Sequence, residues 1–134
     1  MSDLAAYRAY IAAKAPALPR MGFDPKPINA MAKRHQSEVV RFALDRGKSA
    51  AFLDTGLGKS FIELEFARQC AEETGKPSLI LTPLAVAAQI VREGEKFGID
   101  ARQVRTQAEV GRGVMVSNYE RLAKLDPDAF GAVV

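Results

Sequence analysis

The chain has 134 residues, 48% of them apolar and 26% charged, and a net charge of +3. That length allows one domain burying roughly two thirds of its unfolded surface, and the composition is that expected of a soluble globular protein. No apolar run reaches the roughly 18 residues of a membrane span, and Met1-Ser2-Asp3 lacks the basic start of a signal peptide.

The first predicted element is a short helix over residues 3–15. Leu4, Tyr7 and Ile11 recur at helical spacing, and Ser2 or Asp3 can cap it. Pro16, Pro19, Pro25 and Pro27 then interrupt any regular element, so residues 1–27 read as an N-terminal helix and a proline-rich linker. A helix is predicted over roughly 35–46, with Val39, Val40, Phe42 and Ala43 apolar, ending near Gly47. Ala50-Ala51-Phe52-Leu53 reads as a buried strand. After a short turn with two glycines, a helix runs from about Lys59 to Glu73, burying Phe61, Ile62, Leu64 and Phe66, with Gly75 and Pro77 beyond its end. The one cysteine, Cys70, falls on this helix as a small packing residue; it excludes an internal disulfide and fits a reducing cytoplasm.

Ser78-Leu79-Ile80-Leu81-Thr82 is a β-rich run ended by Pro83, hence a second buried strand. Residues 84–97 read as a helix closed by Gly98, followed by a weaker strand near Arg102–Arg105 and a clear one at Gly113–Ser117. A short helix around Tyr119–Leu125 and a turn at Asp126-Pro127-Asp128 precede Ala132-Val133-Val134, which read as the start of a further strand. A strand rarely begins at a terminus, so the chain is expected to be the N-terminal piece of a longer protein. Strands alternating with helices predict an α/β fold with a mainly parallel sheet. Charge is uneven: residues 1–50 carry nine Lys/Arg against four Asp/Glu, residues 51–134 ten against twelve. A basic front half suits a polyanion or simply a solvated face, and charge alone leaves both open.

The densest chemistry lies in Leu53-Asp54-Thr55-Gly56-Leu57-Gly58-Lys59-Ser60. Glycines at Gly56 and Gly58 let backbone N–H groups approach an anion closely, and the helix that follows adds the positive end of its dipole. Lys59 can reach the β- and γ-phosphates of a nucleotide, and the Ser60 hydroxyl can bind Mg²⁺. The full G-x-x-x-x-G-K-[ST] pattern asks for glycine where this chain has Leu53. The other reading is a glycine-rich turn with a surface lysine.

From about Phe23 to Val134, several stretches in this order resemble the first RecA-like lobe of superfamily-two helicases and translocases. The likeness is to the Swi/Snf-type and DEAD/DEAH-box ATPases of phages and prophages. Asp54–Ser60 resembles motif I of that family, whose G-x-G-K-[ST] core also lacks the outermost glycine. His35-Gln36, with Gln36 23 residues before Lys59, resembles the glutamine motif that reads adenine. Its amide can pair with the N6 and N7 edge of that base, although a glutamine at a helix start also serves as polar surface. His35 itself has no partner set for a metal and reads as packing or surface. Thr82-Pro83-Leu84 resembles motif Ia, and Ser117-Asn118-Tyr119-Glu120 resembles a Ser-Tyr-Glu-type motif; both contact the nucleic-acid backbone in that family. Their plainer readings are a strand ended by proline and an asparagine N-cap.

The resemblance implies residues 28–134 to be a partial helicase ATP-binding domain, a P-loop NTPase (RecA-like) three-layer fold incomplete at its C-terminal end. Its cofactors would be ATP and Mg²⁺, held by Gln36, Thr55, Gly56, Leu57, Gly58, Lys59 and Ser60, with Ser60 on the metal. Its partners would be nucleic acid, expected to be DNA and touched through Thr82, Pro83, Ser117, Asn118 and Tyr119, and the second RecA-like lobe of the parent chain. Phe130–Val134 resembles the strand leading into the Asp-Glu pair of motif II, which this sequence lacks along with the later arginine fingers. The implied activity is that of an ATP-dependent helicase or translocase in the parent and an incomplete catalyst in this chain. In that family the strand carrying the phosphate turn pairs with one after motif II, so a gap in the sheet and poor solubility are expected here. A small kinase, a restriction-system motor lobe and a non-catalytic prophage remnant that binds nucleotide are the alternatives.

Overall fold

The computed structural model describes residues 2–14 and 19–134; the side chains of Ser2 and Asp3, and Pro16, lie outside the described residues, and with them the expected cap and one linker proline. The elements in chain order are α1 (Ser2–Lys14), α2 (Arg34–Arg46), α3 (Lys59–Thr74), β1 (Ser78–Thr82), α4 (Leu84–Phe97), β2 (Ala101–Gln103), β3 (Val114–Asn118) and β4 (Ala132–Val133). Three short 3₁₀ turns, at Gln107–Glu109, Tyr119–Lys124 and Pro127–Ala129, fill the later connections. The fold is α/β with a small, all-parallel sheet in the order β2-β3-β1-β4. No helix among the described residues is long and apolar enough to cross a membrane.

Period-two alternation assigns the strands' side chains to two cores. Ile80, Val114 and Val116 pack against Leu64 and Ala67 of α3 and Ala87 and Ile90 of α4. The alternate residues Leu79 and Met115 meet Val104, Leu125 and Phe130 on the other face. Short 3₁₀ elements border that second face, and the short helix expected around Tyr119–Leu125 forms there as 3₁₀ over Tyr119–Lys124 rather than as α-helix. Six residues ended by Asp126-Pro127 are too few to offset the nucleation cost of an α-helix, and they close as 3₁₀ instead.

A third core joins α2 to α3 through Val40, Leu44, Ile62 and Cys70, with Phe23, Ile28 and Leu53 packed around them. Leu44 points inward, and Phe42 is exposed. Burial pushes the Cys70 thiol up to about 11, so it carries little thiolate at neutral pH and acts as packing. The linker is tied to α3 by polar groups. Lys26 N–H donates to Gln69 Oε1 at 2.8 Å, and Asn29 N–H donates to Glu65 Oε1 at 3.1 Å. The fully buried Glu65 carboxylate also accepts from Arg68 Nη2 at 2.6 Å and from Gln69 Nε2 at 2.9 Å.

The expected strand at Ala50–Leu53 does not form. The segment joins no ladder, and Phe52 is 96% exposed. A cavity of about 480 Å³ lies between it and the sheet, lined by Ser49 and Ala51 on one side and Val133 and Val134 on the other. With β4 beyond that space, no strand lies within the roughly 4.8 Å that ladder hydrogen bonds require. Only Leu53 of the run is drawn into the core beside α2 and α3.

Candidate nucleotide site

The turn between this extended segment and α3 is built on two glycines with positive φ, Gly56 at 80° and Gly58 at 75°. Residues with a Cβ avoid that region. At Gly58 there is also no room, because an added Cβ would come within 2.3 Å of Gln36 Nε2. Gly58 ends the turn as the first flanking residue of α3, where no side chain caps the helix. The N–H groups of its first turn therefore have neither an intrahelical carbonyl nor a cap.

Helix α2 holds this turn from behind. Buried Gln36 accepts from Lys33 N–H at 2.8 Å through Oε1 and donates through Nε2 to the carbonyls of Leu57 and Gly58, each at 3.3 Å. His35 adds a 3.0 Å contact to the Leu57 carbonyl. Because a carbonyl only accepts, Nε2 of that imidazole carries the proton. The peptide bonds here are all trans, so each N–H opposes the carbonyl before it. With the Leu57 and Gly58 carbonyls turned to α2, the N–H groups of Gly58 and Lys59 point away from it. That is the arrangement an anion needs: acceptors withdrawn and donors presented.

The expected phosphate residues are thus brought together, with two distinctions. Thr55 N–H is engaged by Asp54 Oδ1 at 2.7 Å. The Gln36 amide, the expected adenine reader, has both of its ends occupied by backbone groups. Lys59 is exposed and in no ion pair, while Ser60 is half-buried with no hydrogen-bond partner for its hydroxyl among the described residues. Glu63, one helical turn beyond Lys59, has its pKa raised by burial and partly drawn back by the lysine charge.

A cavity of about 390 Å³ opens beside the turn, lined by Gln36, Gly56, Gly58, Lys59, Ser60 and, from α4, Gln89, Glu93 and Phe97. The α4 residues were not expected. Their spacing of four, which sets them on one helix face, was the available signal, but nothing in the sequence says which face meets the turn.

The expected nucleic-acid residues lie at the carboxyl ends of β1 and β3, where Thr82 and Asn118 are register partners. Pro83 and Tyr119 are exposed. Ser117 is fully buried and donates its hydroxyl to the Val104 carbonyl at 2.8 Å, and buried Thr82 donates to the Pro83 carbonyl at 2.7 Å. Asn118 occupies the cap position of the following 3₁₀ turn, yet its side chain makes no cap bond: Nδ2 donates to Glu120, and Oδ1 is buried with no partner among the described residues.

Comparison with known protein families, with curated proteins and with solved structures finds no match for this chain.

Proposed function

We propose that the chain is a P-loop ATP-binding lobe that receives the triphosphate of ATP–Mg²⁺ at Gly56–Ser60. The supporting observation is the pair of left-handed glycines leading into the uncapped start of α3, with the Leu57 and Gly58 carbonyls held back by Gln36. Free N–H groups, the helix dipole and the ammonium of Lys59, which is in no ion pair among the described residues, then converge on one anion. Ser60 offers Mg²⁺ a hydroxyl with no hydrogen-bond partner among the described residues, and phosphate and water oxygens would complete the octahedron. The parent activity we assign is an ATP-dependent helicase or translocase, in which hydrolysis by the complete protein drives movement on DNA. Pro83 and Tyr119, exposed at the carboxyl ends of β1 and β3, lie where open parallel sheets bind ligands. The buried hydroxyls of Thr82 and Ser117 act as structural ties within this part.

Titration calorimetry of ATP–Mg²⁺ against the unmodified chain and Lys59→Ala tests the phosphate reading. Losing one charge-assisted contact should weaken binding by about 1.5–3 kcal/mol, roughly 10- to 150-fold. Equal binding by two folded forms would overturn it.

A further inference from the structure

The cavity beside the phosphate turn has a second wall, and we infer that Glu93 on that wall accepts the ribose hydroxyls of the bound nucleotide. This rests on the phosphate reading above and adds where the nucleoside half goes. Glu93 is half-buried, lines the same space as Gly58, Lys59 and Ser60, and makes no hydrogen bond or ion pair among the described residues. The fully buried carboxylate, Glu65, is by contrast satisfied by Arg68, Gln69 and the Asn29 N–H.

A lone carboxylate is an acceptor without donors, so it selects a ligand that brings O–H or N–H groups and repels one that brings phosphate. Lys59 and Glu93 therefore give the cavity a polarity. The anion goes to the turn, and the hydroxyl-bearing part goes to α4. Gln36 cannot supply that recognition while its amide is held by Lys33, Leu57 and Gly58. Along α4 the lining residues Gln89, Glu93 and Phe97 are each one turn, about 6 Å, apart. Phe97 sits edge-to-face with Phe61, their centroids 4.9 Å apart, and forms an apolar wall beyond Glu93. Phosphate, sugar and base follow the same sequence in a nucleotide: charge, hydroxyl, flat apolar ring.

The experiment measures binding of ATP–Mg²⁺, 2′,3′-dideoxy-ATP–Mg²⁺ and inorganic triphosphate–Mg²⁺ to the full chain and to Glu93→Ala. Glu93→Gln, which keeps the shape, serves as a second variant. ATP affinity should fall about tenfold or more in E93A, and by less in E93Q. Triphosphate binding should stay unchanged or improve slightly as a negative charge leaves. Dideoxy-ATP should bind the unmodified chain about tenfold more weakly than ATP, with no further loss in E93A. If ATP and triphosphate weaken together in E93A, Glu93 belongs to the phosphate or metal end and the inference is wrong. Unchanged ATP binding in both variants, with triphosphate still bound, overturns this inference alone. If the unmodified chain binds neither ATP nor triphosphate, the phosphate reading fails and this one fails with it.

Discussion

Glu65 shows how a charge can sit inside a small α/β domain. Burial pushes its pKa up, but hydrogen bonds from Arg68 and Gln69, the Arg68 charge and the Asn29 N–H outweigh that and hold it below the usual carboxylate value. A folded-state pKa below the unfolded one, about 4.3, means that Glu65 stabilises the fold fully above that pH. The contribution is lost as pH falls through the lowered folded value. Glu65→Gln should therefore cost about 2 kcal/mol at neutral pH, and the difference from the unmodified chain should shrink steadily in acid. Urea midpoints of both proteins between pH 7 and pH 3 check this; a difference independent of pH would mean that the carboxylate charge contributes nothing. Not every role at this scale was legible in the sequence. The residues we propose for the phosphate, Gly56, Gly58, Lys59 and Ser60, could be picked out because they are neighbours in the chain and their proposed chemistry depends on that adjacency. Glu93 could not, because it reaches the turn only through the packing of α4 on α3. The burial of Ser117 was not legible for a related reason: whether its side chain faces solvent or Val104 depends on which face of the sheet β2 and the loops cover.

At the scale of elements, boundaries marked by left-handed glycines were the most legible. Gly75 and Gly98 end α3 and α4 where the sequence places them, with φ of 67° and 68°. The strands β1 and β3 were equally clear, since apolar runs between turn signals have few other outcomes in a buried sheet. Ala50–Leu53 carries the same signal and fails, because a strand depends on its neighbour as well as on its own residues. Gly58 tests the link between helix and turn. Gly58→Ala forces both an unfavourable φ and a collision with the Gln36 amide, so it should cost about 1–2 kcal/mol and abolish triphosphate binding. Gly75→Ala is the control. It also has a positive φ but open space around it, so it should lose about 1 kcal/mol and leave ligand affinity alone. Thermal unfolding and calorimetry on the two variants separate the effects. Similar affinities in both would show that Gln36 does not need to hold the turn.

For the whole molecule, the space between Ala51 and Val133 matches the gap expected in the sheet, although Ala50–Leu53 forms no strand beside it. It leaves Phe52 almost fully in water beside an unpaired sheet edge, an arrangement that favours contact between copies. Phe52→Lys should shift the unfolding free energy by no more than about 0.5 kcal/mol while reducing self-association in sedimentation. A large loss of stability would show that the phenylalanine is buried in solution.

The hold of α2 on the turn has one more consequence, for motion. Helix α2 is anchored chiefly through its core with α3, so it can open locally while the sheet stays intact. Each such opening takes Gln36 and His35 away from the Leu57 and Gly58 carbonyls, and the turn loses the shape that favours an anion. Linkage is reciprocal: whatever free energy a docked α2 lends to ligand binding, the ligand returns as protection of α2 against opening. The amides of α2, which touch no phosphate, would then exchange their hydrogens more slowly when the turn is filled.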